Sequence, residues 1–263
     1  MTESFGERLR AGLDKRGPLC VGIDPHPGLL HAWGLDDSPA GLERFCRTVT
    51  GAVGDLAAVV KPQSAFFERW GSRGVAVLEE TIADLRAAGA LVLLDVKRGD
   101  IGSTMSAYAE AYLDRGSPLA VDAITVSPYL GFGSLRVAIA SALANDAGLF
   151  VLARTSNPEA AELQALVADQ VFAGVTEVNA GASPMGSIGV VVGVPQDHPL
   201  ERLNGPILAP GFGAQGATAA DLPGIAGAAS HNLVPSVSRA VLDDPALIRE
   251  RAARWRDDFA EQL

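Results

Sequence analysis

Four charged residues in this 263-residue chain are spaced to form one balanced centre: Lys61, Asp95, Lys97 and Asp100. Asp95 and Lys97 close the apolar run Leu91-Val-Leu-Leu-Asp95-Val-Lys97. On a strand, residues two apart share a face. Lys61 closes a second run, and Asp100 follows Lys97 after Arg98 and Gly99. One charge buried alone at such a place is costly, so it needs partners. Two lysines and two aspartates sum to zero and can stay ionised together. A lysine held charged between carboxylates suits electrostatic and acid chemistry. It does not suit Schiff-base attack, which needs the free amine. An ion-pair network that only tightens the strand ends is the other reading of the same four residues.

The elements that would position this centre repeat along the chain. Eight short apolar runs, Leu19–Asp24, Ala58–Lys61, Leu91–Lys97, Ala123–Ser127, Leu149–Arg154, Ile188–Gly193, Ile207–Ala209 and Leu233–Ser236, read as strands. Most are continuous rather than alternating, as expected for parallel strands covered by helices. Amphipathic helices are expected near 41–53, 73–88, 103–115, 132–144, 158–174, 216–229 and 243–259. Ser72, Ser103 and Asp243 stand where N-caps would, and Gly89 where a C-cap glycine would. Only Val194–Pro206 lacks a helical pattern, and its prolines and Gly205 favour a loop or a short turn of helix. Eight such units predict a single (β/α)8 TIM barrel domain over residues 1–263. An open doubly wound sheet would carry a Gly-rich loop after its first strand, and Gly22-Ile-Asp24-Pro25-His26-Pro27 cannot form one.

A barrel puts its chemistry at the C-terminal ends of the strands. Asp24, Lys61, Asp95, Lys97, Asp100, Ser127, Arg154, Ser156, Gln215 and Arg239 collect there. After the seventh run, Pro210-Gly-Phe-Gly-Ala-Gln215-Gly216 allows close backbone approach and leads into the next expected helix. Arg239, at the end of the eighth, can clamp a phosphate bidentately. Charged strand ends and Gly-rich turns are also ordinary loop features, and the weight lies in their coincidence at the expected strands.

Composition narrows the class. With 48% apolar residues, the chain can bury a large core. Lys and Arg number 21 against 31 Asp and Glu, a net charge of −10, which disfavours nucleic acid or an anionic membrane surface as partner. Cys20 and Cys46 read as two buried reduced thiols, with no metal-ligand spacing. The four histidines read as surface residues. The opening Met1–Arg8 has no apolar core of a signal peptide, and no run reaches the roughly 20 residues of a membrane span. A cytoplasmic protein without a metal site is expected.

The segment Asp95-Val-Lys97-Arg-Gly-Asp100-Ile101-Gly-Ser-Thr104 resembles the Asp-x-Lys-x-x-Asp signature of the orotidine 5′-phosphate decarboxylase family. Val21-Gly-Ile-Asp24-Pro, Val60-Lys61-Pro-Gln-Ser-Ala-Phe-Phe67-Glu68, Ser156-Asn-Pro158, Ala209-Pro-Gly-Phe-Gly-Ala-Gln215-Gly and Val237-Ser-Arg239 resemble it further, in order from Gly22 to Arg239. The Lys-Arg-Gly-Asp continuation is similar to the longer bacterial branch, type 2. The resemblance implies decarboxylation of orotidine 5′-phosphate to UMP in pyrimidine biosynthesis. It implies no cofactor and a homodimer. Lys97 would protonate C6, and Asp95 would lie against the substrate carboxylate. Lys61 and Asp100 would hold Lys97, with Asp100 supplied by the partner subunit and accompanied by Ile101 and Thr104. Asp24 would bind the ribose, Ser156 the pyrimidine, and Gln215 and Arg239 the phosphate. Two alternatives share the scaffold. A magnesium-dependent sugar-phosphate decarboxylase or synthase would want a carboxylate where Lys61 stands. A non-catalytic nucleotide-binding protein would bind UMP without turnover.

Overall fold

The eight apolar runs pair in parallel, each with its sequence neighbour, and the eighth returns to the first to close a barrel. The computed structural model describes residues 2–193, 200–214 and 216–263. The strands are β1 Cys20–Ile23, β2 Val59–Pro62, β3 Leu91–Arg98, β4 Ala123–Val126, β5 Gly148–Arg154, β6 Ile188–Val192, β7 Ile207–Phe212 and β8 Leu233–Val237. Helices on the outside cover them, so both faces of each strand are buried and the sequence reads as unbroken apolar stretches.

Inside the barrel the two-residue period of the strands sorts side chains by height. Cys20, Val59, Leu93, Ala123, Phe150, Val191, Leu208 and Val234 form an apolar layer. Two residues further along β2, β3, β4 and β8, on the same face, come Lys61, Asp95, Thr125 and Ser236, all buried. The interior therefore changes from hydrocarbon to polar over one step of the pleat, at the end where a barrel carries its site.

The lower end is closed by a helix that the periodicity does not reveal, Phe5–Arg16. Its apolar stripe is only Phe5, Leu9 and Leu13, one residue per turn, on an otherwise charged segment. Phe5 packs edge-on against Phe150, with ring centroids 6.2 Å apart. Gly6 is required there, because a Cβ would stand 2.1 Å from the Met185 carbonyl oxygen. The helix starts at a capping box between Ser4 and Glu7.

Several local expectations need correction. The segment 216–229 is not one helix. It breaks into the 3-10 turn Ala219–Asp221, the short helix Leu222–Ala226 and the 3-10 stretch Gly227–Asn232. Pro223 fits only a first turn, and Gly227 at φ +54 ends it. The last helix is Ile248–Ala260, and Asp243 instead ends the four-residue helix Arg239–Leu242. Ser72 is the first helical residue after Gly71, and Ser103 follows Gly102 inside its helix, so neither is an N-cap. Arg239 begins a helix two residues past β8 rather than ending the strand. Gly89, at φ +85, sits just beyond the cap of Ser72–Ala87, as expected. In the connection after β6, Leu200–Leu203 forms a 3-10 turn, while residues 194–199 lie outside the described residues.

Candidate active site

At the C-terminal ends of β1, β2, β3, β7 and β8 lies a cavity of about 850 Å³. Asp24, Lys61, Asp95, Lys97 and Arg239 all line it. Asp95 is the hub. Its Oδ1 accepts from Lys97 Nζ at 2.6 Å and from the Thr125 hydroxyl at 2.8 Å. Its Oδ2 accepts from Lys61 Nζ at 3.3 Å and from Gln63 Nε2 at 2.9 Å. Burial alone would raise this carboxyl's pKa. The two ammonium groups and the hydrogen bonds from Lys97 and Thr125 outweigh it and hold the group at about 2. Lys61 is also buried, which would favour the free amine. The Asp95 and Asp24 carboxylates reverse that and raise its pKa, so it is a fixed cation.

Lys97 differs from both neighbours in exposure: its side chain is 47% accessible against 9% for each of the other two. Its ammonium group is paired at one side and open to the cavity at the other. The backbone beneath it is unusual. Lys97 has φ +46, and the register of β3 against β4 shifts between Leu94 and Arg98. Simple alternation along a regular strand is therefore not what aims Lys97. A bulge does so, and the side chain reaches back to Asp95.

Asp100 does not join this cluster within the chain. Its carboxylate accepts from the Ile101 N–H at 2.8 Å, and it has no ion pair among the described residues. Ile101 is 62% exposed, and Thr104 is exposed on the first turns of Gly102–Leu113. Ser156 stands outside the cavity wall, packed so closely on Gly193 that a Cβ there would lie 2.8 Å from its own. Gln215 lies outside the described residues. Arg239 is exposed at the cavity rim, and its guanidinium has no hydrogen bond or ion pair among the described residues.

Some neutral residues at the site carry no charge signal in the sequence. Gln63 and Thr125 bind Asp95 as above. His26 is a correction to the surface reading: it lines the cavity and tilts against Phe66, ring centroids 6.5 Å apart. Its Nδ1 accepts from the Leu29 N–H at 3.2 Å, which in the neutral ring leaves the proton on Nε2. Ser238 lines the cavity between Asp24 and Arg239, and its Oγ is buried without a hydrogen-bond partner among the described residues. Away from this cavity, just before β4, Asp122 shows that a buried carboxylate can also be structural. It pairs with Arg8 at 2.5 Å and accepts from the Val92 N–H at 2.9 Å. Cys20 and Cys46 are free and buried, and burial pushes their thiols up to about 11 and about 12. Among the described residues no group of three or more His, Cys, Asp or Glu could hold a metal ion.

Fold and cavity together define a class: a (β/α)8 barrel enzyme with a lysine–carboxylate–lysine centre at its mouth and an arginine on the rim. The orotidine 5′-phosphate decarboxylase / HUMPS family matches residues 17–253, and the chain belongs to it. A Salinispora arenicola protein named orotidine 5′-phosphate decarboxylase is 59% identical, over 99% of both chains. A Streptomyces coelicolor protein of the same name is 58% identical, over 96% of both. Among solved structures, a Streptomyces avermitilis protein named for the same activity superposes with a TM-score of 0.96 at 57% identity, covering 99% of this chain and 96% of its own.

Proposed function

We propose that this chain decarboxylates orotidine 5′-phosphate to UMP and CO2 without a cofactor. The observation that carries this reading is the Lys97 ammonium, held 2.6 Å from a buried, ionised Asp95 and open to the cavity on its other side. Breaking the bond between C6 and the carboxylate leaves its electron pair on C6 and releases CO2. The Lys97 ammonium stabilises that pair as it forms and then gives it a proton, and water reprotonates the amine. Asp95, kept ionised by Lys61, faces the substrate carboxylate and disfavours the ground state relative to the carbanion. Both Asp95 oxygens already take two donors each, which leaves this carboxylate poorly placed to ligate magnesium. That favours the cofactor-free reading over the magnesium-dependent relative.

For binding, the lining of the cavity supports Asp24 and Arg239, and the family resemblance supports Gln215 and Ser156. Asp24 takes the ribose hydroxyls, Arg239 and Gln215 the phosphate, and Ser156 the pyrimidine. The active unit is a homodimer in which Asp100, Ile101 and Thr104 of one chain face the site of the other. The Asp100 carboxylate, which has no ion pair among the described residues, and the exposed Ile101 support this. The whole chain acts as one catalytic domain in the cytoplasm, with neither nucleic acid nor membrane as partner. No helix among the described residues is long and apolar enough to cross a membrane.

The direct test is the fall in absorbance as orotidine 5′-phosphate is consumed, with and without EDTA. Turnover unaffected by EDTA is expected. Binding of UMP without turnover would leave only a nucleotide-binding protein, and loss on EDTA treatment would point to the magnesium enzyme. Arg239→Ala is expected to weaken UMP binding about 10- to 100-fold, the value of a lost charge-assisted bond to phosphate, while uridine binding stays unchanged. Equal affinity of the variant and the parent for UMP, measured by calorimetry, would put the phosphate elsewhere.

A further inference from the structure

We infer that Thr125 is a positioning residue for Lys97: one hydroxyl fixes both the bulged backbone under the lysine and the carboxylate that holds its ammonium group. The inference rests on the decarboxylase reading above. Thr125 is 1% exposed on β4, two residues beyond Ala123 of the apolar layer. Its Oγ accepts from the Val96 N–H at 3.0 Å and from the Lys97 N–H at 2.9 Å, and donates to Asp95 Oδ1 at 2.8 Å. A hydroxyl offers one donor and two acceptor places, and all three are used.

The need for it lies in the bulge. β3 leaves its register with β4 between Leu94 and Arg98, and Lys97 takes φ +46, a conformation strained for any residue with a Cβ. Val96 and Lys97 donate their N–H groups here to a side chain rather than to a strand carbonyl. Without the Thr125 oxygen those donors lose their partner in a largely buried place, and the turn loses what holds it. The hydroxyl proton goes to the same Asp95 oxygen that Lys97 Nζ reaches at 2.6 Å. The root and the tip of the Lys97 side chain are thus tied through one atom, and a misplacement of about 1 Å at a reacting group can cost about 100-fold in rate.

Thr125→Ser and Thr125→Ala differ from each other by one oxygen, and Thr125→Val keeps the shape without the hydroxyl. Serine is expected to keep kcat within about threefold. Alanine and valine are expected to lower kcat about 100-fold while UMP affinity shifts less than about threefold, because the lost term belongs to the reacting geometry. Amide exchange at Val96 and Lys97 should accelerate in the alanine protein and stay slow in the serine protein. Should neither alanine nor valine fold, Thr125→Cys, whose thiol is a weak acceptor, takes their place with the same expected loss. Equal turnover of the serine and alanine proteins, or UMP affinity falling in step with kcat, would overturn the proposal. If the parent protein does not turn over orotidine 5′-phosphate, the decarboxylase reading fails. The exchange comparison then still decides whether Thr125 holds the turn: unchanged exchange in the alanine protein rules it out.

Discussion

Lys97→Ala is expected to lower kcat for orotidine 5′-phosphate by at least about 10,000-fold, while UMP affinity and thermal stability stay close to those of the parent. The size follows from losing two effects at once. General acid catalysis typically supplies 100- to 10,000-fold, and a preorganised electrostatic contact about 100- to 1,000-fold. The fold should tolerate the change because Lys97 is the exposed member of the cluster, and Asp95 keeps Lys61, Gln63 and Thr125 as donors. The conservative Lys97→Arg keeps the charge but not the proton, since a guanidinium is not deprotonated at neutral pH. It should recover little rate. Single-turnover assays of all three proteins, with UMP titrations alongside, separate binding from chemistry. Retention of more than about 1% of the parent kcat in Lys97→Ala would remove this lysine as the proton donor.

How far this site could be read in advance depended on charge. Lys61, Asp95, Lys97 and Arg239 stand out because four charges fall together at or just beyond the ends of apolar runs, a coincidence that single loop residues do not produce. All four do line one cavity. Asp100 has the same visibility, but its place cannot be deduced from spacing. Arg98 and Gly99 separate it from Lys97 beyond the bulge, and its carboxylate turns to its own neighbour's N–H. Gln63, Thr125 and His26 are neutral or weakly distinctive types, so nothing in composition marks them. The one available signal for Thr125 was position: two residues past Ala123, it shares that residue's face of the strand. The bulge at Lys97 was not readable, because no glycine announces its positive φ; the fold holds the turn by hydrogen bonds instead.

The same contrast holds for the scaffold. Strands covered on both faces by other elements are continuous apolar runs, so all eight were legible to within a few residues. Phe5–Arg16 escaped because a helix that plugs a barrel needs only a narrow stripe, and one apolar residue per turn is too sparse to read as an amphipathic face. The Ser4–Glu7 capping box was the signal that could have found it. The segment 216–229 failed in the opposite direction. Its apolar spacing is helical, but Pro223, Gly224 and Gly227 admit only short turns.

Asp95→Asn should be both inactive and less stable, with a pH dependence that identifies the cause. The variant keeps the side chain's shape and removes the charge that compensates Lys61, which is buried with only Asp24 as a second carboxylate acting on it. Breaking a buried ion pair from one side costs about 3–5 kcal/mol, and Asp24 should reduce this toward the lower figure. Two titrations then act in opposite directions. In the parent, the Asp95 carboxyl is depressed to about 2 from an ordinary value near 3.9. Its contribution, between about 2 and 3 kcal/mol, is complete above that ordinary value and is lost as pH falls through 2. In the variant, burial acts on Lys61 with less opposition, so its pKa falls below the unfolded value. The penalty is then full at neutral and acid pH and is relieved as pH rises toward the unfolded lysine value near 10.4. The stability gap between the two proteins should therefore be widest near pH 6–7 and narrow in both directions. Urea unfolding from pH 3 to pH 10 would measure it. A gap below about 1 kcal/mol at pH 7 would mean that Lys61 is not held by Asp95. A kcat less than about 1,000-fold below the parent would mean that the orientation of Lys97 does not depend on the Asp95 charge.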